Sequence, residues 1–482
     1  MNRRSINAFY SFLLPLCLLF FMAGLAYAQD EFLLKHPREM NFPTLSFVPP
    51  KAERVLLSNG MVLYLLEDPE LPLIQFSALI RTGSIYDPPQ QSGLAKLTAT
   101  LLRAGGTSDR TPQAINEELE FMAAELDFSM GRESGGASLS VQKKDFPRAL
   151  SIFASLLLKP AFDPLQLDLA KKKKIEAIRR SNDNPEGIAY REFRRVLYEG
   201  NPRGQVPTVE SIQSIKQADL LAFHRKFYKP NNMILGISGD FKKEEMIASL
   251  EGVFRGWERS LIEIPFIPIP SPRNKKMIYH AKKDLPQSTI LMGHFSIPLD
   301  HPDYIPFKVL NFILGGGGFN SRLTQEIRSN QGLAYSVGSF YQGRVGYGVF
   351  GAFCQTKSAT THKVISLLYQ MAEEIKNKNR PTPEELDWAQ KTLVNQFIFS
   401  FTSSASIVSQ QIQLEYDGLP EDYLEKYQAR VAAVTLKDLE RVAEKHLHPE
   451  KSLLMVVGKE EDFDKPLSSF GLVNRIELKK FN

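Results

Sequence analysis

The sequence predicts an α+β protein made of two homologous halves, each a mostly antiparallel sheet packed with helices. Three observations carry that prediction. The chain repeats itself at a constant spacing, a proline-rich connector separates the two copies, and within each copy short β-type runs mix with longer helical patterns.

Asp219-Leu220 matches Asp438-Leu439, Pro230 matches Pro449, Ile234-Leu235 matches Leu453-Leu454 and Gly239 matches Gly458, all at one offset of 219 residues (439 − 220). Each copy passes from a helical pattern through a proline into an apolar β-type run, Met233 to Ile237 and Leu453 to Val457, then closes on glycine and charge. A helix that stops before proline and a short buried strand explain each copy by packing alone. A looser correspondence, which needs small insertions, sets Val141-Gln142-Lys143 against Cys354-Gln355-Thr356 and Asn116-Glu117-Glu118-Leu119 against Thr324-Gln325-Glu326-Ile327. The repeating unit is therefore about 220 residues long.

Between the copies lies Ile264-Pro265-Phe266-Ile267-Pro268-Ile269-Pro270-Ser271-Pro272, whose prolines forbid a helix and favour a stiff, extended connector. The expected division is an N-terminal domain over 51–262, a linker over 263–275 and a C-terminal domain over 276–475. Within the first copy, Val62 to Leu66, Leu73 to Ile80 and Ser138 to Val141 read as strands, and Phe146 to Leu158 reads as a helix.

Ahead of the first copy, Arg3 and Arg4 precede an apolar stretch from Phe9 to Leu25 and then Ala26-Tyr27-Ala28. That is the pattern of a secretory signal over 1–28, followed by an extension over 29–50, and it implies export across the inner membrane to the periplasm. An uncleaved anchor is the rival reading, because the stretch approaches spanning length; only in that case is a membrane a partner. Cys17 falls inside this segment, so Cys354 is the sole thiol of the mature chain and stability must rest on packing without an internal disulfide.

A net charge of +5, from 59 basic and 54 acidic residues, lacks the one-sided excess of a nucleic-acid binder. The single dense basic run, Lys171 to Lys174, reads as a solvated helix face.

Two segments carry functional information. The first, Ser92 to Thr107, is an amphipathic helix with Leu94, Leu97 and Leu101 at helical spacing and Gly105-Gly106 as its stop. The second runs Gly315-Gly316-Gly317-Gly318-Phe319-Asn320-Ser321-Arg322-Leu323 through Arg328 to Gly332-Leu333-Ala334-Tyr335-Ser336. Its glycines do not form a phosphate loop, since no Gly-Lys-Ser/Thr ending follows.

Both segments resemble the pitrilysin-type (M16) zinc peptidases. In that family the first helix carries His-x-x-Glu-His, two zinc ligands and a water-activating glutamate on one face. Aligned on Gly93-Leu94-Ala95, those positions here are Lys96, Ala99 and Thr100. The family's distant glutamate ligand falls at Ala177, within Ala170 to Ile178 and ahead of Asp183-Asn184-Pro185. Glu176 is one step away, turned by about 100° around the helix. A lysine, two small side chains and an alanine do not bind zinc, and an ammonium repels a divalent cation. No other metal site is expected: His446-x-His448 reads as a solvated helix end, and His36, His224, His280, His294, His301 and His362 are scattered.

The second segment resembles the family's C-terminal-half motif, in which an arginine and a tyrosine seven residues later face the peptide chamber; here these are Arg328 and Tyr335. The resemblance extends through Phe227-Tyr228-Lys229-Pro230-Asn231-Asn232-Met233, Gly239-Asp240 and Gln287. It implies two M16-type domains arranged as a clamshell, in a subunit with no catalytic residues and no cofactor of its own. Zinc would reside in a zinc-bearing homologue that pairs with it. Arg328 would bind carbonyls of an extended peptide substrate, and Tyr335 would donate to the oxyanion in the shared site. The alternative is a structural or peptide-binding protein with no part in proteolysis. For an autonomous hydrolase, no nucleophile and base constellation presents itself.

Overall fold

A computed structural model describes residues 47–272 and 274–479. The signal-type segment at 1–28, His36 and most of the 29–50 extension lie outside the described residues. From Pro49 onward the chain packs as one unit built around two six-stranded sheets.

The first sheet contains β1 (Glu53–Leu56), β2 (Val62–Glu67), β3 (Leu73–Ile80), β4 (Glu125–Met130), β5 (Gly135–Gln142) and β6 (Met233–Gly239), in the order β1-β2-β6-β3-β5-β4. Only β2 and β6 run parallel. The second contains β7 (Met277–Lys282), β8 (Gln287–Ser296), β9 (Ala334–Gly343), β10 (Gly348–Lys357), β11 (Leu453–Gly458) and β12 (Val473–Ile476), in the order β12-β7-β11-β8-β10-β9. Here β7 runs parallel to β11 and β12, and the other pairs are antiparallel. Five strands of each sheet therefore share one wiring, with β6 and β11 inserted at matching places.

The sequence repeat is a structural repeat. The helix Gln217–Phe227 and the helix Leu436–His446 correspond end for end at the offset of 219 residues, and each leads through a short turn into the inserted strand. β3 and the helix Phe146–Leu158 have the bounds that their periodicity predicts. In β3 every second side chain is buried, whereas β6 and β11 are buried at every position, as strands covered on both faces must be.

What covers those second faces was not legible in the sequence. We label α1 (Leu94–Ala104), α2 (Phe146–Leu158), α3 (Pro164–Arg179), α4 (Pro185–Leu197) and α5 (Ser404–Asp417). α1 and α2 pack with the first sheet in the larger N-terminal core. The opposite face of that sheet receives α5, which belongs to the C-terminal half: Val408 and Ile412 bury against Tyr64 and Ile234. Reciprocally, α4 of the N-terminal half lays Ile188, Ala189 and Phe193 against Leu291, Met455 and Val457 of the second sheet. Each half thus lends one helix to the other's sheet. Polar contacts reinforce the exchange: Glu415 of α5 accepts from Arg54 Nε at 2.7 Å and from the Tyr64 hydroxyl at 2.6 Å.

Residues 257–272 form neither helix nor strand, and the carbonyl of Pro268 is held by Asn201 and Arg203. Cys354 is buried and unpaired, its thiol pushed up to about 12 by desolvation. Among the described residues, no helix is long and apolar enough to cross a membrane.

Candidate functional site

α1 is built by its buried stripe and its cap. Leu94, Leu97 and Leu101 face the core, and both Asp87 carboxylate oxygens accept from the first turn, from the N–H groups of Gly93 and Ala95 at 2.8 Å. Burial nevertheless pushes the Asp87 carboxyl up to about 6, against those two bonds and the pull of Lys96. The opposite face exposes Lys96 and Thr100, while Ala99 is buried. Lys96 and Thr100 share a cleft with Gln166, Ala170, Lys173 and Lys174 of α3. Ala177 is exposed farther along α3, and Glu176 is paired with Arg180 at 2.9 Å. This donor set does not fit zinc: none of Lys96, Ala99, Thr100 and Ala177 offers a lone pair of the kind the metal requires.

Cations gather there instead. Desolvation lowers the proton affinity of Lys96, and Lys174, Arg194 and Arg132 lower it further. Arg194, from α4, is pushed down to about 10 by burial and by Arg132, and its Nε is buried without a hydrogen-bond partner. The expectation of a solvated face for Lys171 to Lys174 therefore needs correction. Lys172 and Lys173 are exposed, but Lys171 donates to the carbonyls of Gln213 and Ile215 at 2.8 Å, and Lys174 lines the same cleft as Lys96.

Arg328 and Tyr335 are brought together on the second sheet. Arg328 lies in a π-helical turn over Thr324–Asn330, closed by the N–H of Gln331 donating to Glu326 O, five residues back, at 3.1 Å. Its guanidinium sits between two rings, 4.7 Å from the centroid of Phe319 and 4.5 Å from that of Tyr335, and donates to Tyr335 O at 2.8 Å. In the β9–β10 ladder, Ala334 pairs with Thr356 and Ser336 with Gln355, so Tyr335 is the extra residue of a bulge on an edge strand. A bulge re-aims a side chain. Tyr335 is 82% exposed and Phe319 67%.

Phe319 escaped sequence reasoning, although its place after four glycines was a usable signal. Those glycines serve close packing: a Cβ on Gly317 would lie 2.2 Å from the Trp388 ring. Arg322, in the same motif, is structural, with Nε and Nη2 each 2.6 Å from the Glu385 carboxylate. The exposed side of α4 lies between the two regions. Its Tyr190 shares a small cleft with Ser336, next to Tyr335, and its Arg194 acts on Lys96.

His446-x-His448 is not a solvated end. His446 is buried and its Nε2 lies 2.7 Å from Asp303 Oδ2. With His301, these are the one set among the described residues whose ligand-type atoms fall within 4.8 Å of one another. Arg441 and Lys445 already hold the Asp303 carboxylate, and His301 Nδ1 accepts from the Asp303 N–H at 2.9 Å. The cluster is an ion-pair network that ties a buried aspartate to a helix end.

Comparison with known proteins gives the family. A family model described as "Insulinase (Peptidase family M16)" matches residues 66–206, and one described as "Peptidase M16 inactive domain" matches residues 214–393. A Helicobacter pylori protein named "Non-peptidase homolog YmxG" is 27% identical over 78% of this chain and 87% of its own length. A Rickettsia felis "Uncharacterized zinc protease" is 24% identical over 77% and 89%, respectively. The crystal structure of a peptidase M16 inactive domain from Pseudomonas fluorescens superposes with a TM-score of 0.78 at 27% identity, covering 85% of this chain and 98% of that one. Two models of one family, fitted in tandem, together with the doubled sheet wiring, place the chain: it belongs to the peptidase M16 family.

Proposed function

We propose that this chain is a non-catalytic M16 subunit that pairs with a zinc-bearing homologue to form a peptide-degrading endopeptidase. Arg328 and Tyr335 then act in the partner's site, Arg328 on substrate carbonyls and Tyr335 as a hydrogen-bond donor to the oxyanion. The observation that carries this reading is the Arg328 stack. Arg328 is held between the exposed rings of Phe319 and Tyr335, the latter on a bulged edge strand, and has no acidic partner among the described residues, while the positions aligned with the zinc site hold no ligand.

The reciprocal helix exchange supports the pairing. With α4 and α5 buried across the two halves, the chain is a braced unit, and a second polypeptide is the natural way to enclose a substrate facing β4 and β9. Relatives bear both "zinc protease" and "non-peptidase" names, so the reading rests on the side chains at the aligned positions and not on those names. Export to the periplasm belongs to the same proposal.

The test is co-expression with a zinc-bearing homologue and a peptide-cleavage assay. Tyr335→Phe should lower kcat about 100-fold, the usual effect of removing one oxyanion donor, and Arg328→Ala should raise KM as well. The chain alone should bind no stoichiometric zinc. Unchanged cleavage in both variants would instead establish the structural or peptide-binding alternative.

A further inference from the structure

Lys96, Lys174, Arg194 and Arg132 come from four separate segments, namely α1, α3, α4 and the turn after β4. Among the described residues none of the four has an ion pair or side-chain hydrogen bond, and the Arg194 Nε is buried in that condition. The acids nearby are committed elsewhere. Both Asp87 oxygens cap α1, both Glu192 oxygens are taken by Arg191 and Arg195, and Glu133 is held by Arg203 and Tyr347. Like charges with no hydrogen-bonded counterion repel one another in the free chain and raise the local affinity for an anion.

The anion's source follows from the strand beside it. β4 is an edge strand of its sheet, and it ends two residues before Arg132. The N–H groups of Ser84 and Ile85 donate to the carbonyls of Gly131 and Arg132, just past the end of β4, at 3.1 Å, and Asp87, two residues on, caps α1. The first turn of α1, which carries Lys96, therefore stands at that end of the strand, while Arg103 near the helix end donates to Leu126 O near the strand's start. A peptide that adds to this edge carries its side chains past the cation cluster. We infer that the former zinc position is, in this chain, a carboxylate-binding subsite that anchors an acidic side chain or the terminal carboxylate of a bound peptide. The assignment rests on this chain's own residues and not on the pairing proposed above, so the isolated protein suffices to test it.

The experiment is fluorescence anisotropy with a labelled extended peptide carrying a central Glu pair and with its Glu→Gln counterpart, each with a free and an amidated C-terminus. The Glu peptide should bind about tenfold more tightly than the Gln peptide at low salt, as charge-assisted contacts to a guanidinium or ammonium require. High salt should erode the preference, and the Lys96→Gln/Lys174→Gln double variant should abolish it. A preference that follows the free C-terminus instead assigns the terminal carboxylate. Equal binding of all four peptides, a preference that survives the double variant, or inorganic phosphate binding as tightly as the Glu peptide overturns the inference. The double variant removes repulsion, so its melting temperature should match or exceed that of the parent. Arg194→Gln provides a second, independent loss of the same preference.

Discussion

Gly236 offers a direct measurement of what the helix exchange contributes. It lies at the centre of β6, opposite Ser77, and a Cβ placed there would lie 2.1 Å from Val408 Cγ1 and 3.2 Å from Ile412 Cγ2. Val408 is almost fully buried and, being β-branched on a helix, has essentially one rotamer, so it cannot swing aside. Gly236→Ala must therefore displace α5 from the first sheet, at about 1–3 kcal/mol for an overpacked site. Val408→Ala alone removes two methyl groups, about 1.6 kcal/mol at 0.8 each. The double variant should cost less than the two singles together, by a coupling of about 0.5–3 kcal/mol. The assay is urea unfolding in single-tryptophan backgrounds, because Trp257 reports on the N-terminal half and Trp388 on the C-terminal half. The parent should show coincident transitions from both reporters, and Gly236→Ala should separate them. An unshifted midpoint in Gly236→Ala, or strictly additive singles, would refute the claim that α5 braces the two halves through this contact.

Two further outcomes follow from the same structure. Glu415→Ala removes the acceptor shared by Arg54 and Tyr64 and should cost about 1.5–3 kcal/mol, read as a drop in urea midpoint; Glu415→Gln should recover part of it. Stability should also fall on acidification from about pH 6.5 to pH 4. Burial holds His224 and His294 down to about 4. The unfolded chain therefore binds more protons in that window, and stability rises with pH across it. Asp87, pushed up to about 6, works in the opposite sense between its unfolded value and 6. Two histidines outweigh one carboxyl, so the net slope is positive, and His224→Gln/His294→Gln should flatten or invert it. An unchanged slope in that variant would show that other groups set the acid limit.

Local periodicity made much of the fold legible. The alternation in Leu73–Ile80, the helical spacing in Phe146–Leu158 and the fixed register between Asp219 and Asp438 each report a contact with the nearest core. The helix exchange was not legible, because an apolar stripe such as Ile188, Ala189 and Phe193 states that a face is buried without saying against which sheet. The candidate site divides the same way. Arg328 and Tyr335 were visible as a motif, but the bulge that turns Tyr335 outward depends on its register with β10, and the role of Phe319 depends on the π-helical turn that brings Arg328 beneath it. Neither has a period to detect.

The same reasoning explains why the fold tolerates a lysine at position 96. Metal ligands on a helix are constrained by one another and by the ion, whereas the core constrains only the opposite face, here Leu94, Leu97 and Leu101. Replacing the ligands therefore leaves the packing of α1 unchanged and alters only the electrostatics of a solvent-reaching cleft. Lys96 is exposed and Lys174 half-buried, so water reaches both, but the Arg194 Nε is cut off from it: a buried guanidinium nitrogen with no acceptor costs about 1–3 kcal/mol. Arg194→Met, which keeps the apolar stem and removes that nitrogen, should therefore stabilise the peptide-free chain in urea while weakening its hold on an acidic peptide. If Arg194→Met destabilises the free chain, then Arg194 is satisfied within the fold, and the cluster is a structural feature instead of a site kept open for a ligand.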